Sequence, residues 1–304
     1  MITQAKIDKA VALLKKAERL ALKYNPADGY YLAFSGGKDS QCIYHLAKLA
    51  GVKFKAHYAV TTIDPPELMR FIKAHYPDVE WVRPKLTFFQ LIKKKGILPH
   101  RQVRFCCSEL KETGGAGMVC ITGVRRAESI KRAKRNSVEI SSHKFSGTID
   151  QFNAVYHADE DGTFHQCISG KDKLIINPII DWTDNDVWSF IRNYLQVPYC
   201  ELYDQGFHRL GCILCPMSNA ATKRKELQRY PNIRTAFLRV IEFIGKERKK
   251  ERKKERKKEL ILSEYDAETV LEWYISGNTT GEFLGDKKQL KLKFKDNDEQ
   301  SEIY

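Results

Sequence analysis

The sequence predicts an α/β protein: a doubly wound parallel sheet with helices on both faces, followed by a helical, basic C-terminal extension. Three observations predict it. Short apolar runs alternate along the chain with stretches whose apolar residues recur at helical spacing. A glycine-rich hexapeptide, Ser35-Gly36-Gly37-Lys38-Asp39-Ser40, joins the first run to a helix. Charge then concentrates late, where Lys246–Glu259 holds ten Lys/Arg and four Glu. The expected organisation is an N-terminal helix in 1–27, a sheet domain over 28–218 and an extension over 219–304 with a disordered tail.

At 304 residues, 42% hydrophobic and 30% charged, the chain suits a soluble globular protein. No stretch approaches the ~18 apolar residues that span a bilayer, so no membrane partner is expected. The first ten residues read as an amphipathic helix without the apolar core of a signal peptide. A cytoplasmic location is therefore expected, with the eight cysteines reduced or metal-bound. The net charge is +14, and the run at 246–259 supplies +6 of it. Such a balance suits a polyanionic partner, and equally an enzyme that binds phosphate.

The elements follow in order. Residues 3–24 form a helix with Ile7, Ala10, Val11, Leu14, Ala17, Leu20 and Ala21 on one face; Pro26 and Gly29 end it. Tyr30–Phe34 is the first strand, and Ile43, Leu46, Ala47 and Ala50 mark the helix after the glycine loop. Val52–Val60 is the second strand. Pro65 and Pro66 open a helix that runs to Tyr76. Val79–Val82 is a strand, Phe88–Lys95 a helix and Met118–Thr122 a strand ending at Gly123. Ligands of such sheets bind beyond the carboxyl ends of the strands, where the glycine loop, Asp64 and Gly123–Arg126 all emerge.

Residues 125–135 are basic and poor in large apolar groups, as in a solvated loop or one that closes over an anionic substrate. Residues 148–177 read as short strands and turns. Thr183 caps the next helix with Asp186 as its capping-box partner, and Trp182, Val187, Trp188 and Ile191 read as core. Helices follow over about 219–230, 232–259 and 267–275. Within 246–259 a Glu recurs every fourth residue among Lys/Arg, which fits a solvated helix or a nucleic-acid-facing arm over Lys246–Lys258.

The hexapeptide has the makings of a phosphate cradle. Glycines permit close backbone approach, the amides of a helix start attract anions, and Lys38, Ser35 and Ser40 add charge and donors. The spacing differs from the GxxxxGK[ST] loop. It resembles the PP-loop of ATP pyrophosphatases, SGGxDS after a first parallel strand. That resemblance implies ATP as ligand, pyrophosphate held in the loop and AMP transferred to an oxygen before a nucleophile displaces it. Ser35, Gly36, Gly37, Lys38, Asp39 and Ser40 would then bind nucleotide with Asp64, Gly123 and Arg132. Lys38, Asp39, Arg125 and Arg126 would act in catalysis, Asp39 holding Mg²⁺ and the arginines clamping an anion.

Two cysteine pairs stand about a hundred residues apart, Cys106-Cys107 and Cys212-x-x-Cys215. Four thiolates suffice for zinc or for a 4Fe–4S cluster. Neighbouring side chains diverge, so adjacent cysteines suit the separate irons of a cubane better than one zinc ion; buried, unliganded thiols are the remaining alternative. Five ordered motifs then resemble the phosphoadenosine-phosphosulfate (PAPS) reductase family. They are Arg104-x-Cys106-Cys107, Gly123-x-Arg125-x-x-Glu128-Ser129 with Arg132, Asn177-Pro178-Ile179-Ile180-Asp181-Trp182, Val197-Pro198-Tyr199 with Leu202-Tyr203-Asp204-Gln205-Gly206, and Gly211-Cys212-x-x-Cys215. The resemblance implies an adenine nucleotide alpha-hydrolase-like fold, nucleotide across the glycine loop and a 4Fe–4S cluster on Cys106, Cys107, Cys212 and Cys215.

The chain departs from sulfonucleotide reductases in two ways: no cysteine follows Cys215, and the glycine loop keeps its full ATP-type form. The expected function is therefore ATP-dependent adenylyl transfer serving sulfur incorporation, with nucleic acid as an acceptor and a sulfur-donor protein as partner. A reductase whose nucleophile is Cys167, Cys200 or another protein's thiol is the first alternative. A nucleotide-gated nucleic-acid-binding module is the second.

Overall fold

A computed structural model describes residues 1–156, 168, 170–255 and 265–277, without the side chains of 248–255. Its elements run α1 (Gln4–Tyr24), β1 (Tyr30–Phe34), α2 (Lys38–Ala50), β2 (Phe54–Ala59), α3 (Pro66–His75) and β3 (Glu80–Val82). Next come α4 (Phe88–Lys95), α5 (Phe105–Leu110), β4 (Val119–Ile121), α6 (Ile130–Ala133), β5 (Val138–Ile140) and β6 (Ser146–Gly147). The remainder are α7 (Ile149–Val155), β7 (Leu174–Ile176), α8 (Asp184–Ser189), α9 (Ala220–Arg229), α10 (Pro231–Glu255) and α11 (Ala267–Ser276). Contacts group the chain into two compact units, Met1–Lys85 with Ser108–Gly211, and Leu86–Cys107 with residues from Cys212 onward.

The first unit holds a seven-stranded sheet in the order β3-β2-β1-β4-β7-β5-β6. Five strands are parallel neighbours, with β1 between β2 and β4; the expected α/β class stands. β5 and β6 run antiparallel at one edge, which the sequence reading lacked. On β1, Tyr30, Leu32 and Phe34 lie within the core, whereas Tyr31 is half-buried and Ala33 exposed. α1 buries Ile7, Ala10, Leu14, Ala17, Leu20 and Ala21 as its spacing predicts, and the Tyr30 hydroxyl donates to Leu14 O at 2.6 Å.

The capping box on α8 forms, Thr183 Oγ1 accepting from Asp186 N at 3.2 Å and Asp186 Oδ2 from Thr183 N at 2.8 Å. Trp182, Val187 and Ile191 are core residues, while Trp188 is half-buried. Over 148–177 the expected strands and turns are met in part: β7 is a strand, residues 157–167 and 169 lie outside the described residues, and 149–155 differ. α7 is a helix, capped by Thr148 and Gln151 and burying Ile149 and Phe152. Seven residues are too few for a helical period to stand out, although Thr148-x-x-Gln151 is a capping-box signature.

The second unit is helical among its described residues. Phe88 and Phe89 of α4 meet Phe237 of α10 at ring separations of 5.7 and 5.3 Å, and Phe237 meets Tyr274 of α11 at 5.5 Å. α10 is helical to Glu255; the remainder of the basic run and the tail from 288 lie outside the described residues.

Candidate functional site

The glycine loop leaves β1 and enters α2, with Gly37 as N-cap. Its two glycines are needed for different reasons. Gly36 sits at φ +71, and a Cβ there would lie 2.7 Å from the Ile72 side chain. Gly37 has ordinary angles, but a Cβ would come within 3.3 Å of the Tyr203 hydroxyl. Gly123, beyond β4, is a third close approach, since its Cβ would meet the Asp39 backbone at 3.0 Å.

These approaches bring together four charged side chains. Lys38 is 7% exposed, its Nζ 3.2 Å from Asp39 Oδ2 and 3.4 Å from Asp184 Oδ1. Arg125 is 2% exposed and held more tightly: Nε donates to Asp39 Oδ1 at 2.7 Å and Nη2 to Asp184 Oδ1 at 2.6 Å. Burial opposes ionisation of Asp184, yet Lys38 and Arg125 hold its carboxyl below the usual range. The loop's amides are partly engaged, because Lys38 N donates to the Tyr203 hydroxyl at 2.8 Å. Ser40 Oγ donates to Gly37 O at 2.8 Å and lies 3.2 Å from Ser35 Oγ.

The other expected residues are occupied locally. Asp64 Oδ2 accepts from Thr61 N at 2.7 Å and braces the chain beyond β2. Arg126 pairs with Asp181 and donates to Arg135 O at 2.9 Å and Asn136 Oδ1 at 3.0 Å. Arg132 pairs with Glu128, whose Oε2 also accepts from Arg125 N at 3.0 Å. Asp184 and Tyr203 join Lys38, Asp39 and Arg125 without having been singled out as site residues. Their signals were an acidic first turn on α8 and a tyrosine within the Leu202–Gly206 motif.

The four cysteines of the two motifs all belong to the second unit. Cys106 is buried, Cys107, Cys212 and Cys215 are half-buried, and none is in a disulfide. A hydrogen bond with Cys107, burial and the charges of Cys107, Cys212 and Cys215 push the Cys106 thiol up, so all four lie within electrostatic reach. Among the described residues, no group of three or more His, Cys, Asp or Glu is placed to hold a metal ion. Between the second pair, Leu214 adopts φ +55. Its amide donates to Glu226 Oε2 at 2.6 Å and its carbonyl accepts from the Tyr274 hydroxyl at 2.9 Å. Burial pushes the Glu226 carboxyl up to about 7, against the Leu214 hydrogen bond and Lys223. An open groove of about 520 Å³ in the same unit is lined by Arg224, Arg234, Glu268 and Glu272 and by none of these cysteines.

Of the remaining cysteines, Cys200 is buried in the core of the sheet unit; Cys167 lies outside the described residues. No helix among the described residues is long and apolar enough to cross a membrane.

Comparison with known proteins adds an independent view. The family model of the phosphoadenosine phosphosulfate reductase domain matches residues 29–218. An uncharacterized protein of Methanocaldococcus jannaschii is 29% identical over 248 residues, covering 78% of this chain and 53% of the relative. An adenosine 5′-phosphosulfate reductase of Oceanobacillus iheyensis is 27% identical over 157 residues, 49% of this chain and 54% of that protein. The chain spans about half the length of these relatives. Among solved structures, a phosphoadenylyl-sulfate reductase from Candida auris aligns over 70% of this chain and 96% of its own, at 18% identity and a TM-score of 0.40.

Proposed function

The chain belongs to the phosphoadenosine phosphosulfate reductase domain family, and on that premise we propose that it is an enzyme that binds ATP across residues 35–40 and transfers AMP to an acceptor oxygen. The acceptor oxygen attacks the α-phosphorus, the bond to the bridging oxygen of the β-phosphate breaks, and pyrophosphate leaves. A sulfur nucleophile from a donor protein then displaces AMP, with nucleic acid as the acceptor and Lys246–Lys258 as the surface that meets it.

The main support is the contrast between Lys38 and Arg125. The Lys38 contacts of 3.2 and 3.4 Å are longer than the ~2.7–2.9 Å of strong charge-assisted bonds, so its ammonium is the cation free to exchange onto a phosphate. Arg125, at 2.6 and 2.7 Å, stays on the carboxylates and orients Asp39. Nucleotide takes the place of the Tyr203 hydroxyl on the Lys38 amide. Lys38 and the loop amides then stabilise charge on departing pyrophosphate, an electrostatic contribution that usually dominates such reactions. Gly123, Asp64 and Arg132 shape the rim beyond the strand ends.

Asp39 spends one oxygen on each cation, which leaves lone pairs for a water of Mg²⁺. When bound there, Mg²⁺ supplies charge neutralisation on the polyphosphate. Cys106, Cys107, Cys212 and Cys215 would hold a 4Fe–4S cluster, which supplies one-electron exchange when bound. Support for this reading is that the other three thiols act on Cys106 and that none of the four is in a disulfide. Zinc is the poorer fit, since it needs all four sulfurs at about 2.3 Å from one point.

Substitution Lys38→Ala tests the assignment. ATP-dependent pyrophosphate release should fall on the order of 100-fold, as for loss of one oxyanion-stabilising donor, with the fold retained by circular dichroism. Undiminished release removes the loop from the mechanism. The reductase relatives favour a second reading, thiol-dependent release of sulfite from a sulfonucleotide, with Cys200, Cys167 or a partner's thiol as nucleophile.

A further inference from the structure

The basic stretch 125–135 divides into side chains that hold the fold and side chains that do not. Arg126 pairs with Asp181 and donates to Arg135 O and Asn136 Oδ1. Arg132 pairs with Glu128, and Arg135 Nε donates to Glu139 Oε2 at 2.7 Å. Ser129 caps α6, its Oγ accepting from Arg132 N at 3.3 Å. Glu128 Oε2 also accepts from Arg125 N at 3.0 Å, which ties the turn to the arginine that holds Asp39 and Asp184. What this braced turn presents outward is different. Ile130 is 88% exposed, and Lys131 and Lys134 are exposed beside it, without an ion pair among the described residues.

We propose that the outward face of α6, formed by Ile130, Lys131 and Lys134, docks the phosphodiester backbone of the nucleic-acid acceptor. The inference deepens the reading of nucleic acid as acceptor and rests on it. A single exposed isoleucine means little by itself. Here it stands between a cap and two unpaired lysines, on a turn whose three arginines are already spent on bracing it. Charge complementarity chooses the partner. Ser129–Arg135 holds four cations and no carboxylate, and lysines that meet phosphates release counter-ions, which drives binding to nucleic acid of any sequence. Isoleucine is one of the side chains that proteins wedge between bases, so wedge and phosphate contacts lie side by side. Ser129 and Ala133, small and exposed, let a backbone approach closely. Glu128 joins Arg132 to the Arg125 backbone, so a strand held on α6 is held in register with the loop site.

The full chain is prepared as wild type, as Lys131→Gln combined with Lys134→Gln, and as Ile130→Ser. Fluorescence anisotropy over a range of salt measures binding to a mixed-sequence DNA duplex, its separated strand, an RNA of that sequence and polyglutamate. The paired lysine variant should bind the nucleic acid that wild type prefers about tenfold more weakly. Its slope of log K against log salt should be shallower by about 1.4–1.8, at ~0.7 per phosphate for a single strand and ~0.9 for a duplex. Lys246–Lys258 is common to both proteins and cancels in that difference. Ile130→Ser should bind about fivefold more weakly with the slope unchanged. Pyrophosphate release from ATP without acceptor should match wild type throughout, since none of the three residues touches Lys38, Asp39 or Arg125. Unchanged affinity and slope overturn the proposal, as does a wild type that binds no nucleic acid. An equal loss of polyglutamate binding overturns it by assigning the face to an acidic protein, and unfolding of either variant does so by assigning these side chains to the fold. A wild type that binds through α6 yet releases no pyrophosphate overturns the ATP reading and leaves the docking face.

Discussion

The glycine-loop site and the four-cysteine site balance charge in opposite ways. Around the loop, two buried cations, Lys38 and Arg125, face two carboxylates, Asp39 and Asp184, so the site is neutral as it stands. In the unit that holds the cysteines, Lys223 is as deeply buried, yet it donates to Tyr274 O and makes no ion pair among the described residues, while Glu226 accepts from the Leu214 amide. The first arrangement is set to exchange one counter-ion for another, which suits a substrate that arrives and leaves. The second ties its buried charges to backbone groups, which suits a fixed part of the fold.

The comparison breaks most directly at Arg125. Arg125→Met keeps the apolar bulk and leaves Asp39 and Asp184 facing each other beside Lys38 alone. Removing one partner of a buried charged hydrogen bond costs about 1–3 kcal/mol, and the exposure of Asp184 places the expected loss near the middle of that range. Urea unfolding followed by tryptophan fluorescence measures it. Unchanged stability would show that the loop site does not depend on internal balance.

A smaller effect sharpens it. Burial and the nearby Lys48 lower the His45 pKa to about 4, Asp78 opposing, and its Nε2 lies 3.2 Å from the Tyr76 hydroxyl. The unfolded chain then binds the extra proton between about pH 6.5 and 4. Stability contributed by neutral His45 is present above about pH 6.5 and is lost as pH falls to about 4. His45→Gln should flatten the pH dependence of the melting temperature in that window. A paired carboxylate such as Asp184, held below its usual pKa, acts from about pH 5 downward, so an unaltered slope between 6.5 and about 5 would contradict the assignment.

Legibility in the sequence followed the range of the interactions. The loop was readable because strand, two glycines and helix lie within about twenty residues, and the same holds for the α1 face and the Thr183 cap. The β5–β6 edge was not, because strands of three and two residues are too short for a period of two to register. Asp184 and Tyr203 reach Lys38 from about 150 residues away in sequence, so their local signals did not tie them to the loop. Lys223 was hidden for another reason. Amid the basic residues of α9 it reads as one more solvated charge, and only contact with α11 buries it.

The central claim is that residues 35–40 direct cleavage of ATP between its α- and β-phosphates. Product analysis on the full-length protein, reconstituted with iron and sulfide and given ATP labelled separately at the α- and γ-phosphates, tests it most directly. AMP, free or on an acceptor, with equimolar pyrophosphate is the predicted result. ADP and orthophosphate, or no ATP turnover alongside thiol-dependent sulfite release from a sulfonucleotide, would contradict it.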